Sequence, residues 1–270
     1  MSAVRVSDWL LRGTFGLFVG LLVAVPLAAL IVTGLSAGPA AVLRAVADPM
    51  ARDAIGRTLW TAAVMAVVNA VMGTATAWVL VRYRFPGRGA LSALVDLPFA
   101  IPTLVTGLML VLLFGPQEPV GAWLSTHGVP VAFGSAGIVL ALTFVTLPFV
   151  VRAVEPVLQQ LDPDEEAAAE TLGASRALIV RRVILPAIAP AISYGALQAF
   201  GRALGEFGSI VVISGNIPFQ TLTAPVLIYG EVEAGQPGVA AAVSVVLLAL
   251  ALGLFAITRR LRGRLRGTDA

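Results

Sequence analysis

Six apolar stretches of 20 or more residues constrain this chain more than any other feature: 14–36, 58–81, 91–114, 135–154, 187–213 and 238–258. At about 1.5 Å per helical residue, each can cross a hydrocarbon layer of roughly 30 Å. No water is available there to hydrogen-bond the backbone, and a helix is the open structure that satisfies its own amides and carbonyls. The expected fold is all-α: a polytopic, six-transmembrane helical bundle forming one domain over 1–270. A composition that is 58% hydrophobic and 12% charged agrees, since soluble domains carry roughly 25% charged residues. The first stretch follows Arg5 and Arg12 as a signal peptide would. Its uncharged run is longer than the roughly 7 to 15 residues of a signal core, so it reads as a retained helix.

Charge excludes several chemistries and then reports topology. All 18 basic residues are arginine, so the lysine of a nucleotide-binding P-loop is absent and the chain is not a self-contained ATPase of that type. With no cysteine and the single histidine His127, thiolate catalysis, zinc and iron-sulfur sites and histidine-pair metal sites are excluded. No nucleophile and base are paired by any motif, and no catalytic or metal-ligating residue is expected. A pI near 10.1 does not imply nucleic acid, because the arginines are not gathered with aromatics on one soluble face. They mark one side of a bilayer instead. Arg5 and Arg12 precede the first span; Arg82, Arg84 and Arg88 follow the second; Arg152, Arg176, Arg181 and Arg182 flank the connection from fourth to fifth; Arg259, Arg260, Arg262, Arg264 and Arg266 follow the sixth. Only Arg44, Arg52 and Arg57 fall opposite, and Arg202 lies within a span. The positive-inside rule then places both termini in the cytoplasm, with the arginine tail held by anionic headgroups of the bilayer.

The cytoplasmic connection 155–186 is long, and its composition predicts folded helix. Asp162-Pro163-Asp164-Glu165 reads as a helix start, with an N-cap aspartate, proline at the first position and acidic residues at the positive end of the dipole. Ala167, Ala168 and Ala169 propagate the helix. Gly173 suits a left-handed C-terminal position, Ser175 can cap a second short helix, and Pro186 ends that helix or begins the fifth span. Ala169, Leu172, Ile179 and Val183 form an apolar stripe, which either packs on the bundle's own ends or docks into a groove of another protein.

These residues resemble a known family. Ala167-Ala168-Ala169-Glu170-Thr171-Leu172-Gly173, nine residues, then Val183-Ile184-Leu185-Pro186 is similar to the EAA loop of ABC-importer permeases, which forms the coupling helix that inserts into a cytoplasmic ATPase subunit. In strict register the family's glutamate falls on Ala167, with Glu166 one place early, and its isoleucine on Val183; Glu166 or Glu170 could supply the carboxylate. Gly201-Arg202-Ala203-Leu204-Gly205-Glu206-Phe207-Gly208, with Ser214 to Thr221, Val95 to Thr103 and Leu147 to Arg152, resembles permeases of sulfate, thiosulfate and molybdate importers, most of all the T-type sulfate permease. The resemblance runs from about Thr58 to Arg262. It implies a type I importer permease of the bacterial inner membrane, without enzymatic activity or a bound cofactor of its own. The implied partners are two cytoplasmic ATPase subunits holding ATP and magnesium, a second permease (a W-type paralogue or a second copy) and a periplasmic or extracellular sulfate-binding protein. Molybdate or tungstate import is the near alternative, and an ion-driven secondary transporter or a membrane scaffold the distant ones.

Inside the fifth span Arg202 and Glu206 stand four residues apart, on one helical face, and can pair. Counted from Ala187, they would lie about 22 and 28 Å into the membrane. Gly201, Gly205 and Gly208 would let a neighbouring helix approach. The pair either fixes helix packing or lines an anion path near an outer gate. Pro98 and Pro102, with Gly107 beyond, predict a kinked or unwound third span whose Thr103 and Thr106 hydroxyls face a cavity or merely accompany the distortion. Asn216-Ile217-Pro218 is turn chemistry. Trp123 and His127 read as structural residues at the interface.

Overall fold

A computed structural model describes residues 2–36 and 38–266, with side chains for 12–36 and 38–256. The side chains of Arg5, Arg259, Arg260, Arg262, Arg264 and Arg266, used above for orientation, lie outside the described residues. Every regular element among the described residues is helical. Among the described residues five helices are long and apolar enough to cross a membrane, and six if a bent helix pair is counted as one span.

The central helices are α3 (Pro49–Arg82) and α7 (Ser135–Gln160). Asp48 caps α3 by accepting from the amides of Met50 (2.9 Å) and Ala51 (3.1 Å), and Pro49 sits where an amide would be unpaired anyway. Arg57, near the start of α3, reaches Ser135 at the start of α7 (3.3 Å), so the two helices run parallel. The chain must therefore return from one end of the bundle to the other between them, and α4 (Arg88–Ala100) and α5 (Thr103–Phe114) carry it.

These two halves meet at 113°, so of the kinked and the unwound span expected, the unwound one is present. Pro98 stays within α4; the break falls at Ile101-Pro102, where Ile101 is extended (φ −83°, ψ 127°) because the residue before a proline is pushed out of the helical region. Beyond α5, α6 (Pro119–Thr126) caps a hairpin-like excursion, and His127 closes it with Nδ1 2.8 Å from the Trp123 carbonyl oxygen.

The fifth stretch is also broken, contrary to the continuous helix expected over 187–213. Helix α10 (Leu185–Leu204) stops at Gly205, and a separate turn, α11 (Gly208–Ile213), follows. At its other end α10 continues upstream without a gap: α9 (Arg176–Ile179) passes into a π-helical turn over Val180–Ile184, in which the Leu185 amide donates to the Val180 carbonyl. Pro186 cannot donate an amide, and the widened turn accommodates it; the second short helix of the loop is thus the first part of the fifth span.

Helix α13 (Pro237–Arg266) runs antiparallel to α1 (Ser2–Leu35), with Gly34 of α1 against Ala241 and Val245. Helices α2 (Pro39–Ala47) and α12 (Ala224–Glu233) cover the Arg57 end of the bundle. The interior forms two apolar layers. One gathers Ala62, Met65, Ile138, Leu142, Ala199 and Ile210; the other gathers Leu80, Val150, Val154, Leu158, Ile184 and Ile188. Between them Asn69, fully buried, donates to Thr146 Oγ1 (2.8 Å), and Thr146 bonds the Leu142 carbonyl (2.7 Å).

Val150 of α7 is a point where α3, α7 and α10 approach closely. A Cβ at Gly73 of α3 would stand 2.7 Å from Val150 Cβ, and one at Gly195 of α10 would stand 2.8 Å from Val150 Cα and 3.0 Å from the Phe149 carbonyl oxygen. Backbone atoms cannot yield as a side chain can. Gly195→Val is expected to force α10 off α7 and cost about 1 to 3 kcal/mol or more, read as an early melting transition of the detergent-solubilised protein, whereas Gly205→Ala should leave that transition in place.

Candidate coupling loop and translocation path

The 162–186 segment is built as its residues direct. Helix α8 (Pro163–Thr171) begins with the Asp162 carboxylate accepting from the Asp164 amide (2.9 Å) and with Asp164, Glu165 and Glu166 in its first turn. It ends in a Schellman turn: Gly173 is left-handed (φ 81°), the Gly173 amide donates to the Glu170 carbonyl (2.9 Å) and the Ala174 amide to the Ala169 carbonyl (3.0 Å). Ser175 then caps α9 by accepting from the Leu178 amide (3.4 Å).

The apolar stripe divides between the two roles open to it. Ile179 is buried, and Ala169 and Val183 pack partly against the same apolar layer of the bundle. Leu172, at the elbow, is 88% exposed, and Leu178 and Leu185 are each more than 40% exposed. Ala167, Ala168 and Glu170 also face outward. Two candidate carboxylates thereby separate: Glu166 accepts from Arg82 Nη2 at 2.5 Å, while Glu170 projects from the next turn. Pro186, at the first turn of α10, is exposed.

The second candidate site lies at the α10–α11 break. Arg202 Nη2 is 2.9 Å from Glu206 Oε2, as the spacing predicts, but Glu206 is not on the helix. Its carboxylate is 1% exposed, and Oε1 accepts from the Ser209 amide (3.0 Å) and hydroxyl (2.9 Å). One oxygen thus caps α11 and the other holds the arginine. The depth expected for Glu206 on an unbroken helix does not apply, since the chain leaves α10 at Gly205. A helix ending within the protein leaves amides and carbonyls unpaired, and a buried carboxylate accepting three bonds answers part of that need.

The glycines fall in two places. A Cβ at Gly208 would be 2.2 Å from Thr103 Oγ1, and one at Gly107 would be 2.5 Å from the Ser209 carbonyl oxygen. Helices α5 and α11 are therefore in backbone contact, with Thr103 against Gly208. Thr106 is 2% exposed, and its Oγ1 has no hydrogen-bond partner among the described residues. Gly201 and Gly205 face elsewhere, into an apolar cleft of about 380 Å³ with Leu204, Pro225, Ile228 and Leu247. Nothing comes within 4 Å of a Cβ at Gly205, so its place in the structure is the end of α10 and not a close helix crossing.

Two further groups were not legible as sites. Arg152 of α7 binds both Asp96 oxygens (Nε to Oδ1 2.8 Å, Nη2 to Oδ2 2.5 Å), the Ser92 carbonyl (3.0 Å) and hydroxyl (2.9 Å), and pairs with Glu155. This network fastens α4 to α7 at the Arg82 end. At the other end Arg57 bridges Asp53 (3.2 Å) and the Phe219 carbonyl (3.0 Å) beside an open cleft of about 630 Å³. Phe219 belongs to a turn in which Asn216 and Phe219 are left-handed (φ 55° and 59°), with the Asn216 amide group donating to the Val211 carbonyl (3.0 Å). Asp53–Arg57 and Arg152–Glu155 stand at helical spacings of four and three residues, but the bonds that join distant elements span 56 and 162 residues, and no local pattern marks those.

Comparison with known proteins places this geometry. Residues 70–267 match the family described as binding-protein-dependent transport system inner membrane component. The chain is similar to the sulfate transport system permease protein CysT of Escherichia coli (strain K12), 42% identical over 246 residues that cover 91% of this chain and 89% of that one. It is also similar to the probable sulfate transport system permease protein cysT of Nephroselmis olivacea, 48% identical over 206 residues covering 76% and 72%. Among solved structures, a chain of a bacterial alginate ABC transporter, in complex with an alginate pentasaccharide-bound periplasmic protein, shares the fold with a TM-score of 0.77 at 19% identity, covering 96% of both chains.

Because Glu206 serves Arg202 and Ser209 together, Glu206→Ala should destabilise the solubilised protein by about 1 to 3 kcal/mol. Glu206→Gln, which can still accept from Ser209, should recover part of that loss in the same melting measurement.

Proposed function

The chain belongs to the family of binding-protein-dependent transport system inner membrane components, and on that footing we propose that it is the permease subunit of an ATP-driven sulfate importer. The observation that carries the reading is the 42% identity to the Escherichia coli sulfate permease across 91% of the chain. The relatives are permease subunits, not enzymes, and the hydrolysis of ATP belongs to a partner. In this reading that partner is a pair of cytoplasmic ATPases holding ATP and magnesium, and a periplasmic or extracellular protein delivers sulfate. Each chain offers one coupling elbow and a two-fold assembly requires two, so a second permease, a W-type paralogue or another copy, completes the pore.

The positive-inside count supports placing the Arg82 and Glu166 end in the cytoplasm. Helices α1 and α13 run antiparallel there, so both termini fall on that side. The exposed elbow, with Ala167, Ala168, Glu170, Leu172 and Gly173, then meets the ATPase. ATP-driven closure of the two ATPases displaces the elbow, and the bundle shifts between outward-open and inward-open states because the nucleotide binds them with different affinity. No bond of the substrate is broken in this chain.

For the path, the asymmetry of the Arg202–Glu206 pair supports a functional reading. The Glu206 carboxylate is buried whereas the Arg202 side chain is 39% exposed. Glu206 holds the guanidinium in place, and the guanidinium keeps exposed donors suited to a divalent oxyanion. Thr103, Thr106 and Gly208 position the α5–α11 contact beside it.

Gly173→Val meets a left-handed backbone that a β-branched residue resists, and it should abolish co-purification of the ATPase while leaving the permease in the membrane. Retained ATPase would count against the elbow as the docking site. Arg202→Gln should lower labelled-sulfate uptake by the reconstituted importer about ten-fold, the equivalent of a lost 1.4 kcal/mol interaction, with the complex still assembled. Unchanged uptake would remove Arg202 from the path. Competition by thiosulfate and molybdate in the same assay reports the anion preferred.

A further inference from the structure

Among the described residues, the single ionic tie between the 162–186 segment and the spans is the Arg82–Glu166 pair. Arg82 is the last residue of α3. Its Nη2 lies 2.5 Å from Glu166 Oε1, and both side chains are about three-quarters covered (28% and 25% exposed). The guanidinium also stands over the Trp78 ring at 5.5 Å, one turn back on the same helix, so it is held from beneath as well as from its tip. By contrast α8 packs broadly only against its neighbour α9, and its first-turn residues Asp164 and Glu165 are exposed.

Helix α3 is the opposite case. It packs along most of α7 and against α10, and it contributes to both apolar layers. A displacement delivered to its end is therefore distributed through the bundle, since packed interiors transmit strain. Glu166 is not free to meet a partner's cation while it holds Arg82, which leaves Glu170 as the outward carboxylate of the elbow.

We propose that Arg82 is a positioning residue for transport coupling: through Glu166 and Trp78 it fastens α8 to the end of α3, so that movement of the docking elbow is delivered to the helix on which the bundle is built. This rests on the reading of the chain as an importer permease. A single ion pair at a helix end, partly covered as this one is, contributes little to stability, so the tie acts on how motion is shared and not on whether the protein folds.

The test uses the full importer reconstituted with its ATPases and binding protein. Two spin labels, introduced by Arg84→Cys and Asp164→Cys in this cysteine-free chain, report the distance between the end of α3 and α8. With the tie intact, that distance should be the same in nucleotide-free and ATP-bound complexes. Arg82→Gln should broaden it and lower the sulfate imported per ATP hydrolysed about five-fold, the lower end of usual coupling strengths, with the ATPase still co-purifying. The charge-exchanged double variant Arg82→Glu with Glu166→Arg should restore both readouts. An unaltered distance and ratio in Arg82→Gln would overturn the proposal and leave the importer reading standing. Loss of assembly that the exchanged pair does not repair would overturn it too. If the unsubstituted chain brings down no ATPase, the importer reading and the proposal fall together.

Discussion

A helix that stops inside lipid exposes amides and carbonyls to a medium that cannot bond them, and this fold contains two such stops. One falls at Ile101-Pro102 and the other at Gly205 to Phe207. They are placed so that each shelters the other. The second halves, α5 and α11, touch backbone to backbone across Gly107 and Gly208, and Glu206 caps α11 from within the gap. Irregular backbone is tolerated at membrane depth where protein covers it. The remaining architecture follows, since α4 and α5, joined by the bend at Pro102, return the chain between the parallel helices α3 and α7.

The two ends of the bundle are fastened differently. At the Arg82 end, arginines from α3 and α7 reach carboxylates on elements far away in sequence, Glu166 and Asp96, so charge joins pieces that apolar packing only partly covers. At the Arg57 end, the cation is shared between Asp53 and the Phe219 carbonyl, and the turn that supplies that carbonyl is held by its own side chains. Between the ends the helices rely on small residues and on the Asn69–Thr146 bond.

Much of this was legible in local chemistry. The Asp162 cap, the left-handed Gly173, the Ser175 cap and the Arg202–Glu206 pair all follow from spacings of a few residues, and all are present in the structure. What failed was continuity. Hydropathy measures length and greasiness, so it merged α10 with α11; the prolines announced the break in the third span but not its 113° angle, and neither window average nor helical spacing registers a carboxylate that caps the following turn. The second loop helix begins where Ser175 marks it, but a π-turn over Val180–Ile184 joins it to α10, a continuity that Pro186 does not announce. The ties from Arg82 to Glu166, from Arg152 to Asp96 and from Arg57 to the Phe219 carbonyl depend on which ends meet in space, which no local pattern encodes.

The turn after α11 has one more consequence. Asn216 and Phe219 sit in left-handed backbone that non-glycine residues resist, and Phe133, whose amide bonds the Ile213 carbonyl (2.8 Å), does the same. Such conformations persist only where the surroundings dictate them. Here the Ser214, Asn216 and Thr221 side chains bond the turn's own backbone and one another. The Arg57 face of the molecule is consequently set before anything touches it, and contact there requires little further ordering. It is a fixed surface, whereas at the opposite end Leu172 stands 88% exposed at the tip of the elbow.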